Sequence, residues 1–162
     1  MTYKHCPECG ERLGVRVIGD EGEVPFCEKC SRPWFSFSQP CVICLVHDGE
    51  GNIALIKQGY VSRNHVCIAG YIKRGETAES CAAREVSEET GLEAVSVRYI
   101  ASYFHERGDN LMLGFAVRVK RGEFSLSGEV DSAAWYSLEE ARRLLAHGSV
   151  TPALLSDFER TL

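Results

Sequence analysis

Glu85, Glu88 and Glu89, in the stretch AREVSEETGL at residues 83 to 92, are the side chains whose type and spacing could do chemistry. On a helix advancing about 100° per residue they fall within an arc of about 100° and form one acidic stripe. Like charges three or four positions apart destabilise a bare helix by about 0.2–0.5 kcal/mol per pair, so the stripe costs stability unless a cation relieves it. Hard carboxylate oxygens suit Mg2+ or Mn2+, which bind a few carboxylates and fill their remaining positions with water and substrate phosphates. A solvated acidic face is the other reading of the same residues.

The cysteines divide by spacing. Cys6 with Cys9 and Cys27 with Cys30 form two C-x-x-C knuckles, CPECG and CEKCS, seventeen residues apart. That spacing builds a closed four-thiolate Zn2+ site with Zn–S bonds of about 2.3 Å and no position left open for catalysis. Disulfides or a redox pair compete with this reading, but a reducing cytosol disfavours the first and no βαβ pattern surrounds either pair. CVIC, at 41 to 44, has the same spacing inside an apolar run that reads as a buried strand. Successive strand side chains point to opposite faces, so Cys41 and Cys44 should diverge and serve as small core residues. Cys67 and Cys81 read the same way.

The elements that must hold these groups follow from periodicity and turn chemistry. A chain of 162 residues can bury one domain core and carry a small accessory module. Between the knuckles, VRVIGDEGEVPF has the pattern of a β-hairpin. So short a module cannot fold on burial alone, and the metal is expected to supply much of its stability. The boundary falls within SRPWFSFSQP, which places the metal module at 1–35 and the larger domain at 36–162. There CVICLV and IALIK read as strands joined by the turn HDGEGN, followed by HVCIA as a third strand and GYIKRGE as a loop. A helix is expected from Thr77 to Thr90, capped by Thr77, ended by Gly91 and packed through Ala78, Ala82, Ala83 and Val86. VSVRYIASYF, LMLGFAVRV and AAWYS read as later strands. LEEARRLLAH reads as a helix, as does a segment begun by TPALL, with Thr151 as cap and Pro152 in its first turn.

Residues 70–92, GYIKRGETAESCAAREVSEETGL, resemble the signature of the Nudix hydrolase family at Gly70, Glu76, Arg84, Glu85, Glu88, Glu89 and Gly91, with hydrophobic Val86 and Leu92. The resemblance runs from about residue 40 to the C-terminus. It implies an α/β fold, the family's α/β/α sandwich around a mixed β-sheet, preceded here by the zinc-ribbon β module. It further implies hydrolysis of a nucleoside diphosphate linked to another moiety. Glu85, Glu88 and Glu89 would hold Mg2+ or Mn2+ together with the Gly70 carbonyl, Arg84 would orient a carboxylate, and Glu88 or a later glutamate would act as base. Glu76 would organise the loop. Glu129 resembles the glutamate that follows the box in some subfamilies and reaches the metals, with a solvated loop residue as the equal alternative.

A zinc ribbon before a Nudix domain is similar to the arrangement in NADH pyrophosphatases and some plant FAD pyrophosphatases, and implies a homodimer. NADH pyrophosphatases carry S-Q-P-W-P-F-P-x-S after the box, and RYIASYFHERGDNLMLGF contains no copy of it. The substrate therefore stays open among NADH, ADP-ribose, FAD and related nucleotides or dinucleotides. Tyr60 and Tyr103 could stack on a base, Lys57, Arg63 or Lys73 could meet phosphate, and His105 is a further substrate-site candidate. The histidines at 5, 47, 65, 105 and 147 show no ligand spacing among themselves.

A net charge of −5 argues against a nucleic-acid partner, since such proteins usually present a basic surface. No apolar run approaches the roughly 20 residues that span a bilayer, and the first fifteen residues lack a signal-peptide core, so the expected location is the cytoplasm. The competing class is a nucleotide-sensing Nudix module whose ribbon contacts nucleic acid or protein. The complete set of box glutamates favours the enzyme.

Overall fold

The computed structural model describes residues 3–59, 62–145 and 150–162, with the side chains of Ser62 and Arg63 left out. Tyr60, the Arg63 side chain and His147 therefore lie outside the described residues. The chain divides into two compact units, Met1–Gln39 and Pro40–Leu162.

In the first unit, strands β1 (Gly14–Val17), β2 (Glu23–Cys27) and β3 (Arg32–Pro33) form an antiparallel sheet in that order. Gly22, at φ 69°, lets the β1–β2 connection turn back, a conformation that L side chains resist. Cys6, Val24, Phe26 and Cys27 are the buried hydrophobic residues of this unit among those described. Two of these four are candidate metal ligands, which leaves little apolar core.

The second unit contains β4 (Gln39–His47) from its second residue on, β5 (Asn52–Gln58), β6 (Ser62–Val66), β7 (Ile68–Tyr71), α1 (Ala78–Thr90), β8 (Ala94–His105), β9 (Asn110–Val119), β10 (Ser132–Ser137), α2 (Leu138–Leu144) and α3 (Thr151–Glu159). Its mixed sheet runs β10-β5-β4-β9-β8, with β6 added to β5 and β7 added to β4. β4 forks: Cys41 to Cys44 pair with β7, and Val46 and His47 pair with β5. β4 also alternates. Cys41, Ile43 and Leu45 join the core under α2 and α3, whereas Val42, Cys44 and Val46 join the core under α1. The two cores on opposite faces make the α/β/α sandwich, and they place Cys41 and Cys44 on opposite sides of the sheet.

α1 starts where its sequence lets it. Ser80 N–H donates to Thr77 Oγ1 at 3.2 Å while Thr77 N–H donates to Ser80 Oγ at 3.0 Å, a reciprocal cap. Gly91 ends the helix at φ 71°, and a Cβ there would lie 2.7 Å from Ser125 Cβ. Cys81, Ala82 and Val86 are fully buried on its inner face.

Three sequence expectations are corrected. HVCIA breaks after Val66 into β6 and β7, because β6 pairs with β5 and β7 with β4 across the fork. Gly70 and Tyr71 belong to β7 and not to a loop. Thr151 is the first residue of α3, its hydroxyl donating to Leu145 O, and Val150 occupies the cap position. No helix among the described residues is long and apolar enough to cross a membrane.

Candidate active site

The β4–β7 ladder sets Gly70 opposite Val42 and brings its backbone against α1. A Cβ at position 70 would lie 2.0 Å from Glu85 Cδ and 2.1 Å from Glu85 Oε1, so only glycine allows that carboxylate to rest on the strand.

Arg84 organises the acidic residues around it. Its Nε and Nη2 donate to Glu76 Oε1 and Oε2 at 2.7 and 3.0 Å, a two-pronged pairing. Nη1 donates to Glu85 Oε1 at 2.6 Å and to Glu88 Oε2 at 3.0 Å, and Nη2 also donates to the Tyr71 carbonyl at 3.3 Å. Glu76 Oε2 accepts in addition from Lys73 N–H at 3.0 Å, which fixes the 73–76 turn to the guanidinium. The Arg84 hydrogen bonds, helped by that amide, hold the Glu76 carboxyl down to about 2.

That shift carries a pH prediction. A carboxyl depressed in the fold stabilises it above the unfolded value near 4.5, and the contribution is lost as pH falls through about 2. Glu76→Gln should therefore lower the urea midpoint at pH 7. The gap to the parent should narrow steadily below pH 4.5, and a gap independent of pH would show that Glu76 acts by packing alone.

A cavity of about 660 Å3 opens beside the box. Glu85, Glu88, Glu89 and Glu129 line it with Gly70 and Gln58, as do Cys41, Met112, His105 and Asn110. Glu89 is only 6% exposed, and its Oε2 is buried with no hydrogen-bond partner among the described residues. Burial pushes the Glu89 carboxyl up to about 7, with Glu85, Glu129 and Glu88 adding repulsion and a Gln58 hydrogen bond opposing it. Four carboxylates therefore face one space whose guanidinium is already committed to Glu76, Glu85 and Glu88. A cluster of four carboxylates, one of them with an orphaned buried oxygen, is a donor set that fits a divalent cation.

The other expected substrate residues separate. Lys73 and His105 line the cavity, and Lys73 Nζ lies 3.9 Å from Glu88 Oε1. Tyr103 is not among the lining residues; its hydroxyl donates to Asp157 Oδ2 at 2.6 Å and its ring packs on the core under α2 and α3. Gln58, Asn110 and Met112 line the cavity without having been marked by any spacing in the sequence, and Cys41, expected only as a small core residue, lines it too, because the sheet order brings β4, β5 and β9 together there.

In the first unit the Sγ atoms of Cys6, Cys9, Cys27 and Cys30 all lie within 4.8 Å of one another. The Cys6–Cys30 separation is 3.9 Å and the Cys9–Cys27 separation 3.6 Å. A disulfide would need about 2.05 Å. A tetrahedral ion with metal–sulfur bonds of about 2.3 Å needs sulfur pairs about 3.8 Å apart, which these match. Cys30 N–H donates to Cys27 Sγ at 3.4 Å, the kind of contact that stabilises a thiolate. Burial raises the Cys6 thiol, but the Cys9 and Glu8 amides and neighbouring thiols bring it down to about 6. The adjacent Cys9 thiol drives Cys30 upward. Four sulfurs this close ionise together only around a cation.

A NUDIX domain profile matches residues 37–156. The NAD-capped RNA hydrolase NudC of Photobacterium profundum is 28% identical over 157 residues, covering 96% of this chain and 58% of that protein. Its namesake in Mycobacterium tuberculosis (strain ATCC 25618 / H37Rv) is 42% identical over 117 residues, covering 70% of this chain and 37% of that protein. The namesake in Pseudomonas aeruginosa (strain LESB58) is 30% identical, with 94% and 54% covered. The chain thus spans about half the length, or less, of these curated relatives. Among solved structures, a NUDIX hydrolase from Nitrosomonas europaea superposes with a TM-score of 0.80 at 22% identity, covering 98% of this chain and 93% of that one. A C. elegans Ap4A hydrolase superposes at 0.61 with 18% identity, covering 76% and 96%. The shared fold, the complete box and a profile match over most of the sequence agree: the chain belongs to the NUDIX domain family.

Proposed function

We propose that the chain is a metal-dependent pyrophosphohydrolase that splits the diphosphate of a dinucleotide of the NAD type into two phosphomonoesters. The observation that carries this reading is the convergence of Glu85, Glu88, Glu89 and Glu129 on one cavity, with Glu89 Oε2 unpartnered and Arg84 holding the helix and the 73–76 turn in register. The names of the curated relatives support a nicotinamide dinucleotide, free or at the end of an RNA, and they reopen the nucleic-acid partner that net charge had set aside.

Glu85, Glu88, Glu89, Glu129 and the Gly70 carbonyl would hold Mg2+ or Mn2+, which neutralises diphosphate charge and lowers the pKa of an attacking water. The chain's own groups do the rest. Arg84 fixes Glu85 and Glu88, Lys73 offers a cation to the diphosphate, and Met112, Cys41 and Asn110 supply an apolar wall with one amide for a ring. Water would add to one phosphorus, giving its proton to Glu88 or a later glutamate, one P–O bond of the P–O–P bridge would break, and each product would leave as a monophosphate. The four cysteines of the first unit would hold a structural Zn2+.

The test is a panel of NADH, NAD+, ADP-ribose, FAD and an NAD-capped oligoribonucleotide, each with Mg2+ or Mn2+, read by release of nucleoside monophosphate. Turnover of at least one is expected. Tight nucleotide binding with no turnover of any would replace the enzyme by a sensor.

A further inference from the structure

Gln58 and Glu129 reach the cavity from different parts of the chain, one ending β5 and the other in the connection before β10. Both approach Glu89: Gln58 as a hydrogen-bond partner, Glu129 as a neighbouring charge. Something must hold the two segments at a fixed separation. Asp131 joins them. Its carboxylate Oδ2 accepts from Gly59 N–H at 2.6 Å, and its own N–H donates to the Lys57 carbonyl at 2.9 Å. The two bonds straddle Gln58 and close directly onto the β5–β10 ladder, whose first pair is Ser132 with Lys57. On the other side, Glu129 N–H donates to Ser127 Oγ at 3.3 Å and Val130 N–H to Ser127 O at 3.2 Å, so Glu129 stands on a turn that Asp131 fastens down.

The partner position is fitted to this bond. A Cβ at Gly59 would lie 3.0 Å from Asp131 Oδ2, whereas the Gly59 backbone itself avoids the left-handed region. Asp131 is exposed and does not line the cavity, so neither core packing nor contact with substrate accounts for it.

We infer that Asp131 is a positioning residue for the proposed hydrolysis, a clamp that keeps Gln58 and Glu129 at the spacing Glu89 needs to bind a divalent ion. This rests on the reading of the cavity as a metal-dependent hydrolase site. Asp131→Ala removes the acceptor, and Gly59→Ala crowds it, so that it must shift by a few tenths of an ångström, while sparing the backbone. Asp131→Ala should weaken Mn2+ binding, read from the free-ion signal in electron paramagnetic resonance, by about tenfold, the low end of the range for groups that orient metal ligands, and Gly59→Ala should weaken it less. Asp131→Ala should lower kcat about tenfold with KM for the dinucleotide within twofold. The double variant should be no worse than Asp131→Ala alone, since both substitutions act on the same bond. Asp131→Asn, which still presents an oxygen, should recover most of the Mn2+ affinity.

Unchanged Mn2+ affinity in both single variants would overturn the clamp, as would losses matched by a fall in melting temperature large enough to explain them. If the parent turns over no diphosphate, the functional reading fails by itself, and the Mn2+ measurement still decides whether Asp131 orders the carboxylates.

Discussion

Glu89→Gln is expected to lower kcat on the best dinucleotide by about 10³-fold while leaving the melting temperature unchanged or higher, within the 10²–10⁴ range typical of groups that carry or activate a reacting water. Glutamine has nearly the same shape, so the packing of a side chain only 6% exposed is kept. What it removes is a buried carboxylate that burial and three neighbouring glutamates all push toward the neutral form. In the absence of a bound cation that charge destabilises the fold, so its removal relieves the protein. With the cation, the same charge is what the site is built around. A purely structural glutamate would show the opposite pattern, with stability lost and activity following it down. The measurement pairs steady-state kinetics in Mg2+ with thermal melts in the presence and absence of the ion. In the parent the ion should raise the melting temperature by mass action, and in the variant much less. A Gln variant within tenfold of the parent would remove Glu89 from the catalytic set.

The helix that carries the box was legible because its geometry is local. Thr77 as cap, Gly91 as stop and the stripe of Glu85, Glu88 and Glu89 all depend on spacings within one helix, where 3.6 residues per turn fix which side chains share a face. The two knuckles were legible for the same reason, and so was the divergence of Cys41 and Cys44, which needs only the period of a strand. What the sequence hid is what long-range pairing decides. Nothing near Gln58, Asn110 or Met112 says that they share a cavity, because their meeting depends on β5, β4 and β9 lying side by side. Tyr103 shows the same limit from the other direction. A tyrosine on a strand is a reasonable stacking surface, yet its hydroxyl is taken by Asp157 on α3, and a Cβ at Gly114 on β9 would come within 2.8 Å of its ring. HVCIA reads as one strand by composition, and only the fork in β4 breaks it in two. Thr151 looked like a cap until the Leu145 carbonyl claimed its hydroxyl.

Removing the metal from the four-cysteine cluster should unfold the first unit outright. Elemental analysis of the purified chain should find one zinc per chain, and Cys27→Ser or a strong chelator should abolish it. Val24 and Phe26, the buried residues of the first unit that are not cysteines among those described, can contribute about 1.5–3 kcal/mol each. Ordering the backbone costs about 1–2 kcal/mol for every residue fixed, so two such side chains and a short three-stranded sheet cannot hold the unit by themselves. Structural Zn2+ in small modules contributes about 10–16 kcal/mol, more than those two side chains together. Limited proteolysis should then cut metal-free protein within residues 3–39, while Pro40–Leu162, with its own two cores, stays intact. Protein that contains no zinc as purified, or that resists cleavage after chelation, would return the four sulfurs to the status of close-packed thiols. Their spacing speaks against that outcome. Thiols gathered only by packing have no reason to sit 3.6 and 3.9 Å apart around a common centre, with a backbone amide turned toward one of them.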